Sequence, residues 1–558
     1  MALSDTQDAA APSQGGRLLL VLTRGHNSYL ALTLLCAALF LPGLAAIPPT
    51  DRDEARFMQA SKQMIESGDW VQIKFQEEPR NKKPAGIYWL QAASVRAFGQ
   101  ELTATWPYRL PSAIAAWIAV LLVCRAGRRL FNPTAGLFAG AALATTFITV
   151  VEAHIAKTDA ALLACTTLAL AMLGEIYAAR AKPLLPALLF WVGIGLGILI
   201  KGPLVLLVAG ATIAALCIAD RDVSWLKRLH SVSGIPLALI IVLPWIIAIS
   251  GTAQSNFIGN AVTQDLLPKL IGGQESHGAP PGAYIAAGLL TAWPWSLLAP
   301  FVLIAAWKER NLPAVRFCLA WLIPTWIVFE LVPTKLPHYT LPLLPALALL
   351  IGWALTRPAL DFARWVGSRG AVIYRILWSM LAVALGIGAS YANVLYGDGS
   401  SSGAALAVAA TMFAGLVALV GFARAGVNAA VAGLTTAGLL FSLSLTSGIV
   451  PHLYQLAISP CIAALAAAHE APVALAGYHE PSVVFLLGTD TILTDTAGAT
   501  AHILARPGAL AVIPEADLET ARGVVTAQGR TMRQLEEVIG YNYSRGDWVR
   551  LAVITAAQ

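Results

Sequence analysis

Charge is scarce in this chain. Asp, Glu, Lys and Arg make up 12% of its 558 residues, about half the roughly 25% of a soluble globular domain. With 57% hydrophobic residues, that shortfall excludes an ordinary soluble fold and points to the membrane class. The six cysteines form no C-x-x-C pair, and five of them (Cys36, Cys124, Cys165, Cys217, Cys318) sit inside apolar runs, where a thiol behaves as a small hydrophobe. Neither a disulfide framework nor a cysteine zinc motif is expected. The first apolar run, Ser28–Ile47, ends without a small-x-small cleavage site, so it reads as a retained helix. The net charge of +6 calls for no nucleic-acid partner. It fits basic cytoplasmic loops beside anionic lipid headgroups.

What is abundant is apolar sequence in runs of membrane-crossing length. About thirteen spans are expected by length, beginning near Ser28, Trp106, Pro133, Asp159, Leu184, Pro203, Val232, Tyr284, Phe317, Tyr339, Ala371, Gly403 and Val427. With the N-terminus cytoplasmic, the inner loops carry Arg125/Arg128/Arg129, Arg180/Lys182, Arg221/Lys227/Arg228, Lys308/Arg310/Arg316, Arg357/Arg364/Arg369/Arg375 and Arg424. All are basic, whereas the short outer loops are poor in Lys and Arg, as the positive-inside rule requires. An odd number of spans then places the C-terminus outside.

Three outer segments are long and polar: Pro48–Thr105, Gly251–Ala283 and the tail from His452. The tail alternates strand-like runs (Ala471–Ala476, Ser482–Leu487) with helix-like ones (Leu518–Gln528, Met532–Ile539), as in an α/β domain of roughly 100 residues. The expected architecture is a polytopic α-helical membrane protein. Residues 1–450 form the transmembrane part, with outer loops 48–105 and 251–283 and juxtamembrane helices on the outer face. Residues 451–558 form a small periplasmic α/β domain.

The scarce charges cluster. Pro48-Pro49-Thr50 ends the first span, and Thr50 or Asp51 can cap a new helix with Glu54 in the capping-box position. Phe57, Met58, Met64 and Ile65 would then face the membrane interface. Acids in a first helical turn are favoured by the helix dipole alone, so Asp53 and Glu54 do not by themselves mark a site. Asp159 in "AHIAKTDAALL", Lys201 in "ILIKGPLVLL", Lys335, His338 and Tyr339 in "VPTKLPHYTLPLLP", and Lys82 and Lys83 before "PAGIYWL" all fall on the same outer face. Singly, a snorkelling Lys or an interfacial Tyr has a structural account. Together they suit a site for an anion carried on a lipid, with Lys and Arg as phosphate partners.

The order of these parts resembles the GT-C glycosyltransferases, in the polyprenyl-phosphate-dependent branch that includes protein O-mannosyltransferases and lipid A 4-amino-4-deoxy-L-arabinose transferases. The shared features are Asp53-Glu54 with Arg56, Lys83-Pro84 with Tyr88-Trp89, Asp159, Lys201–Pro203, Leu243–Trp245, a long outer loop with His277, Trp293–Trp295 and Lys335–Pro342. "SGDW" (Ser67–Trp70) and "KLPHYTLP" point to the aminoarabinose group. Two positions depart from its pattern: Lys82 stands where that group has an acid, and only Lys269 answers its basic loop residue.

The resemblance implies a pentosyltransferase that moves a sugar, 4-amino-4-deoxy-L-arabinose, from undecaprenyl phosphate to lipid A phosphate at the periplasmic face of the bacterial inner membrane. Protein O-mannosyl transfer is the alternative. It further implies Asp53 and Asp159 as catalytic carboxylates. Glu54, Arg56, Lys83, Tyr88, Lys201, Lys269, Lys335, His338 and Tyr339 would bind substrate or carrier phosphate. The partners are the lipid-linked donor, the lipid A acceptor and the membrane. No cofactor is required. A divalent metal among Glu78, Asp265, Glu275 and His277 is conceivable, but no H-x-x-x-H or C-x-x-C spacing supports one. A transporter is the rival class. Carriers often show paired repeats with broken helices at mid-membrane, whereas neither "KGP" nor "KLPHY" recurs in the other half of this chain.

Overall fold

The computed structural model describes residues 14–557 apart from 100, 179–183, 253, 255, 269–277, 358, 359, 361, 400 and 401. The loop residues Arg180 and Lys182 therefore lie outside the described residues. Each expected span start falls at or within a few residues of a helix, but the helices differ in length. Among the described residues, nine are long and apolar enough to cross a bilayer alone. A further pair, Pro133–Thr145 and Phe147–Ala153, is long and apolar enough only when taken together and is bent by 62°, as in a broken span or a re-entrant loop. Asn27–Phe40, Leu204–Asp220 and Trp295–Lys308 are apolar but shorter, so length alone does not make thirteen full crossings.

The first of these shows why. Its helix stops at Phe40, and the chain passes through turns from Leu41 to Ile47. Pro42 lacks the amide that would continue the helical hydrogen bonds. Gly43 has φ +88°, and a side chain there would collide with the Thr446 carbonyl, 2.2 Å from its Cβ position. The carbonyls freed by this unwinding need donors, and Arg109 supplies them. Its Nη1 donates to Leu44 O (2.9 Å) and Ile47 O (2.6 Å), and its Nη2 to Pro48 O (2.8 Å).

Arg109 also grips Glu54 with Nε–Oε1 at 2.8 Å and Nη2–Oε2 at 2.9 Å, both side chains fully buried. Glu54 accepts further bonds from the Thr50 amide (2.9 Å), the Thr50 hydroxyl (2.7 Å) and the Ala156 amide (2.8 Å). The reach-back half of the expected capping box therefore forms, while the helix itself begins at Asp53 and runs to Ser67. One ion pair joins the end of the first span, this helix, the helix Trp106–Leu130 and the turn before Asp159.

The helix Trp106–Leu130 is ~37 Å long at 1.5 Å per residue and separates two faces. At its far end Arg128 donates to Thr23 O (3.2 Å) and Ser28 Oγ (3.0 Å). At its near end lie the helix Asp53–Ser67, the short hairpin β1 (Lys74–Phe75) and β2 (Glu78–Pro79), and the helix Gly86–Phe98. The apolar face of Asp53–Ser67 does not lie in the membrane interface as expected. Phe57, Met58 and Met64 are buried in protein. Met58 packs with Val95, Tyr108 and Phe485, and the Lys62 ammonium donates to Phe485 O (3.0 Å). The C-terminal part thus sits on this helix.

That part is built on a five-stranded sheet in the order β4 (Ile492–Thr494), β3 (Val473–Ala476), β5 (Leu510–Pro514), β7 (Asp547–Ala557), β6 (Thr531–Asn542). The first three strands are parallel, and β7 runs antiparallel to both β5 and β6. Period-two alternation sends Val473 and Leu475 to one apolar layer and Ala474 and Ala476 to the other, so helices cover both faces. Two expectations fail here. Ser482–Leu487 lies in a helix, Pro481–Leu487, and Met532–Ile539 lies in strand β6. A short continuous apolar run carries no periodicity to separate the two states, and Pro481 at the first helical position favours a helix. In β6, eleven paired positions with β7 override the helix preference of "MRQLEE".

Two outcomes follow. A topology reporter fused after Val450 should be active only on the outer side, and one after Arg424 only on the inner side. Activity of the first on the inner side would contradict the shared face. Arg109→Met leaves Glu54 buried without its partner, which typically costs about 3–5 kcal/mol. The folded, detergent-extractable yield and the unfolding temperature should both fall sharply.

Candidate active site

The helix Asp53–Ser67 begins at the wall of a cavity of about 360 Å³. Other walls come from the segment around Arg80–Lys83, the turn Ile155–Asp159, Lys201 at the end of the helix Leu184–Lys201, and Thr334–Tyr339. Seven cationic side chains line it (Arg52, Arg56, Arg80, Lys82, Lys83, Lys157, Lys201) against four carboxylates (Asp51, Asp53, Glu54, Asp159). Since Glu54 is neutralised by Arg109 from outside the cavity, the excess of positive charge is larger than the lining alone suggests. A larger cavity of about 1030 Å³ lies between the far end of the same helix and the C-terminal sheet. Glu66, Asp69, Glu77, Glu470 and Asp490 outnumber Lys74 and Arg506 there, which does not suit an anion.

Asp159 is buried in the first turn of the helix Thr158–Ala178. Its Oδ1 accepts from Lys201 Nζ at 2.5 Å, and its Oδ2 lies 3.7 Å from Lys157 Nζ. His338 Nε2 stands 3.9 Å from the same carboxylate, and the Lys201 ammonium lies over the Tyr339 ring, 5.6 Å from its centroid. Lys157 also pairs with Glu152 at 3.0 Å. Burial would discharge Lys157, but Glu152 and Asp159 outweigh it and hold the ammonium above its ordinary range.

Asp53 opens toward the cavity, its side chain 65% exposed, with Arg80 Nη2 at 4.0 Å from Oδ1. Burial of its surroundings would raise this carboxyl. Arg80, Lys157, Lys83 and Arg56 outweigh that and hold it below the usual carboxylate range. It is therefore ionised at neutral pH.

Of the residues expected at the site, Asp53, Arg56, Lys83, Asp159, Lys201, His338 and Tyr339 line this one cavity. Four others do not act as expected. Glu54 reaches the edge, but Arg109, Thr50 and Ala156 occupy its oxygens, so it holds the fold rather than a ligand. Tyr88 is buried behind the wall, where its hydroxyl accepts from Arg80 Nε (3.2 Å). Lys335 turns away, donating to Ala279 O (2.9 Å) and Val332 O (2.7 Å). Glu78 is exposed on β2. Lys269, Glu275, His277 and the Asp265 side chain lie outside the described residues. Among the described residues no three His, Cys, Asp or Glu groups gather as a metal cluster.

Lys157, Arg80 and Glu152 were not expected. Lys157 stands two residues before Asp159 in the same motif, and Glu152 is a carboxylate within an apolar run. Ionisable groups at membrane depth usually pair or serve function, so both carried a signal.

Comparison with known proteins places this geometry. Residues 82–247 match the family model described as dolichyl-phosphate-mannose-protein mannosyltransferase. An undecaprenyl phosphate-alpha-4-amino-4-deoxy-L-arabinose arabinosyl transferase 2 from Pseudomonas fluorescens is 31% identical over 329 residues, 57% of this chain and 58% of the relative. A transferase of the same description, without the numeral, from Pseudomonas paraeruginosa is 30% identical over 342 residues, 60% of each. The matches thus span less than two thirds of these relatives' length. In fold the coverage is nearly complete. The crystal structure of ArnT from Cupriavidus metallidurans bound to undecaprenyl phosphate superposes with a TM-score of 0.75 at 20% identity, over 97% of this chain and 98% of that one. The archaeal oligosaccharyltransferase AglB from Archaeoglobus fulgidus gives 0.51 at 11% identity, over 88% of this chain and 69% of that one. By sequence over residues 82–247 the chain is similar to that family, and by fold it is a multi-pass α-helical membrane protein with a C-terminal sheet that is similar to ArnT over almost its whole length.

Proposed function

We propose that the chain is a glycosyltransferase that uses undecaprenyl-phosphate-linked 4-amino-4-deoxy-L-arabinose as donor and a lipid A phosphate as acceptor. It acts at the periplasmic face of the inner membrane, with the N-terminus cytoplasmic and the C-terminal domain periplasmic. The observation that carries this reading is the cavity itself, where seven cations surround the exposed carboxylate Asp53 and the buried, Lys201-paired carboxylate Asp159. That excess fits a phosphate at the edge of the bilayer. The relatives' names supply the donor and the sugar.

An acceptor oxygen attacks the anomeric carbon, the bond from that carbon to the carrier phosphate oxygen breaks, and undecaprenyl phosphate leaves as the anion. Negative charge grows on the leaving phosphate, and Lys83, Arg56 and Lys201 are placed to meet it, as preorganised electrostatic catalysis requires. Positive charge grows on the sugar ring, and Asp53 meets that. A carboxyl held below its ordinary pKa is a weak general base, which favours an acceptor that is already ionised. A phosphate is such an acceptor, its second pKa being about 6; a Ser or Thr hydroxyl is not. This favours the aminoarabinose reading over protein O-mannosyl transfer, to which the matched family model points. The reading requires no cofactor beyond the lipid-linked donor.

Asp53→Asn should lower transfer to lipid A by about 10²-fold or more, the usual loss when a charge-stabilising group goes. Lys83→Ala should abolish transfer in a folded protein, with partial rescue by Arg, whose planar fork differs in shape from an ammonium. Both are read by mass spectrometry of lipid A at matched protein levels. A loss below about tenfold for Asp53→Asn, ~1.4 kcal/mol in barrier, would return Asp53 to a helix-capping role. Transfer to periplasmic protein instead of lipid A would establish the mannosyl alternative.

A further inference from the structure

Asp53 is aimed by a turn that its own sequence does not favour. Arg52, immediately before it, has φ +64° and ψ −102°, a conformation that a side chain with a Cβ rarely adopts. No side chain caps the helix at this point. Such a residue persists only where its surroundings over-determine it, and such residues cluster at functional sites.

The surroundings here belong to the C-terminal sheet. The tip between β6 and β7, residues 543–546, reaches across some 490 positions of sequence to the rim of the cavity. The Tyr543 hydroxyl accepts from the Asp51 amide at 2.6 Å, and the Ser544 carbonyl accepts from Arg52 Nη2. A second grip comes from the helix Pro481–Leu487, whose Ser482 amide donates to Asp51 Oδ1 at 3.1 Å. The tip is itself braced. Asn542 Oδ1 accepts from the Ser544 amide (3.0 Å) and the Arg545 amide (3.3 Å), and Asn542 Nδ2 donates to Glu480 (3.0 Å). Asp51 and Arg52 are thus held on one side by a rigid hairpin and a helix start. On the other side the Glu54–Arg109 pair fixes the first helical turn. Asp53 lies between the two anchors.

We propose that the β6–β7 tip is a positioning element for Asp53, with Tyr543 and the Ser544 carbonyl holding Asp51 and Arg52 in the strained turn that points the carboxylate into the cavity. The C-terminal sheet then takes part in the reaction without touching substrate. This rests on the reading of Asp53 as the residue that meets the sugar.

The test is a double-mutant cycle on the full-length protein in lipid nanodiscs. Tyr543→Phe removes only the hydroxyl. It should lower kcat about fivefold with KM for the lipid-linked donor within twofold and an unchanged unfolding temperature, and it should speed hydrogen exchange at the Asp51 amide. In an Asp53→Asn background the same change should cost nothing further, because residues acting through one group are not additive. An equal loss in both backgrounds, or wild-type kcat and exchange in Tyr543→Phe while Asp53→Asn is impaired, overturns the positioning role alone. Full activity of Asp53→Asn overturns the reading of Asp53 and the proposal with it.

Discussion

The half of the molecule that holds the cavity depends on one buried ion pair, Glu54 with Arg109. An arginine sealed from water inside a membrane protein is costly unless every donor is used and its charge is matched. Here Nε and Nη2 meet the carboxylate, and Nη1 and Nη2 cap the carbonyls left open where the first span unwinds. The Glu54 oxygens in turn fasten Thr50 and the Ala156 amide. Three stretches distant in sequence, residues 44–54, Arg109 and the turn at Ala156, meet at this pair, and the first and last adjoin the candidate carboxylates Asp53 and Asp159. The geometry of the cavity is therefore set from behind its wall.

With Glu54 paired, the charge inside the cavity is dominated by cations. Charges near a low-dielectric wall interact more strongly than charges in water. Lys157 and Lys201 flank Asp159, and Arg80 stands by Asp53, so both carboxylates already have cationic neighbours. In the proposed reaction, an arriving phosphate would compete for those cations and free the carboxylates to face the sugar. The ionised state of Asp53 follows from the same crowding. On the proposed function, one electrostatic arrangement would serve carrier binding and stabilisation of the sugar at once.

Much of this was legible in the residues. The spans show because a crossing needs a run of apolar residues, and the shared face shows because the loops expected on the opposite side concentrate Arg and Lys. Asp53, Asp159, Lys83 and Lys201 stand out as charges beside apolar walls. Sequence does not show where a side chain points. Lys335 sits in the most distinctive motif yet turns to the Ala279 and Val332 carbonyls, and Glu54, adjacent to Asp53, is consumed by a partner 55 positions away. Arg109 and Lys157 were harder to place, because a lone cation at the end of a span also suits snorkelling. In the C-terminal domain, "SVVFLL" (Ser482–Leu487) and "MRQLEEVI" (Met532–Ile539) took the opposite state from the one expected, since their neighbours rather than their propensities decide.

The central claim is that the cation-rich cavity between Asp53 and Asp159 holds the phosphate of a polyprenyl carrier. A structure of the protein in nanodiscs loaded with undecaprenyl phosphate tests it directly. The account predicts density for the phosphate inside this cavity, within hydrogen-bond reach of Lys83 and of at least one of Arg56 and Lys201, with the prenyl chain leaving along the bilayer. A phosphate found in the acid-rich cavity beside Glu66 and Asp490, or no bound lipid at saturating concentration, would contradict it.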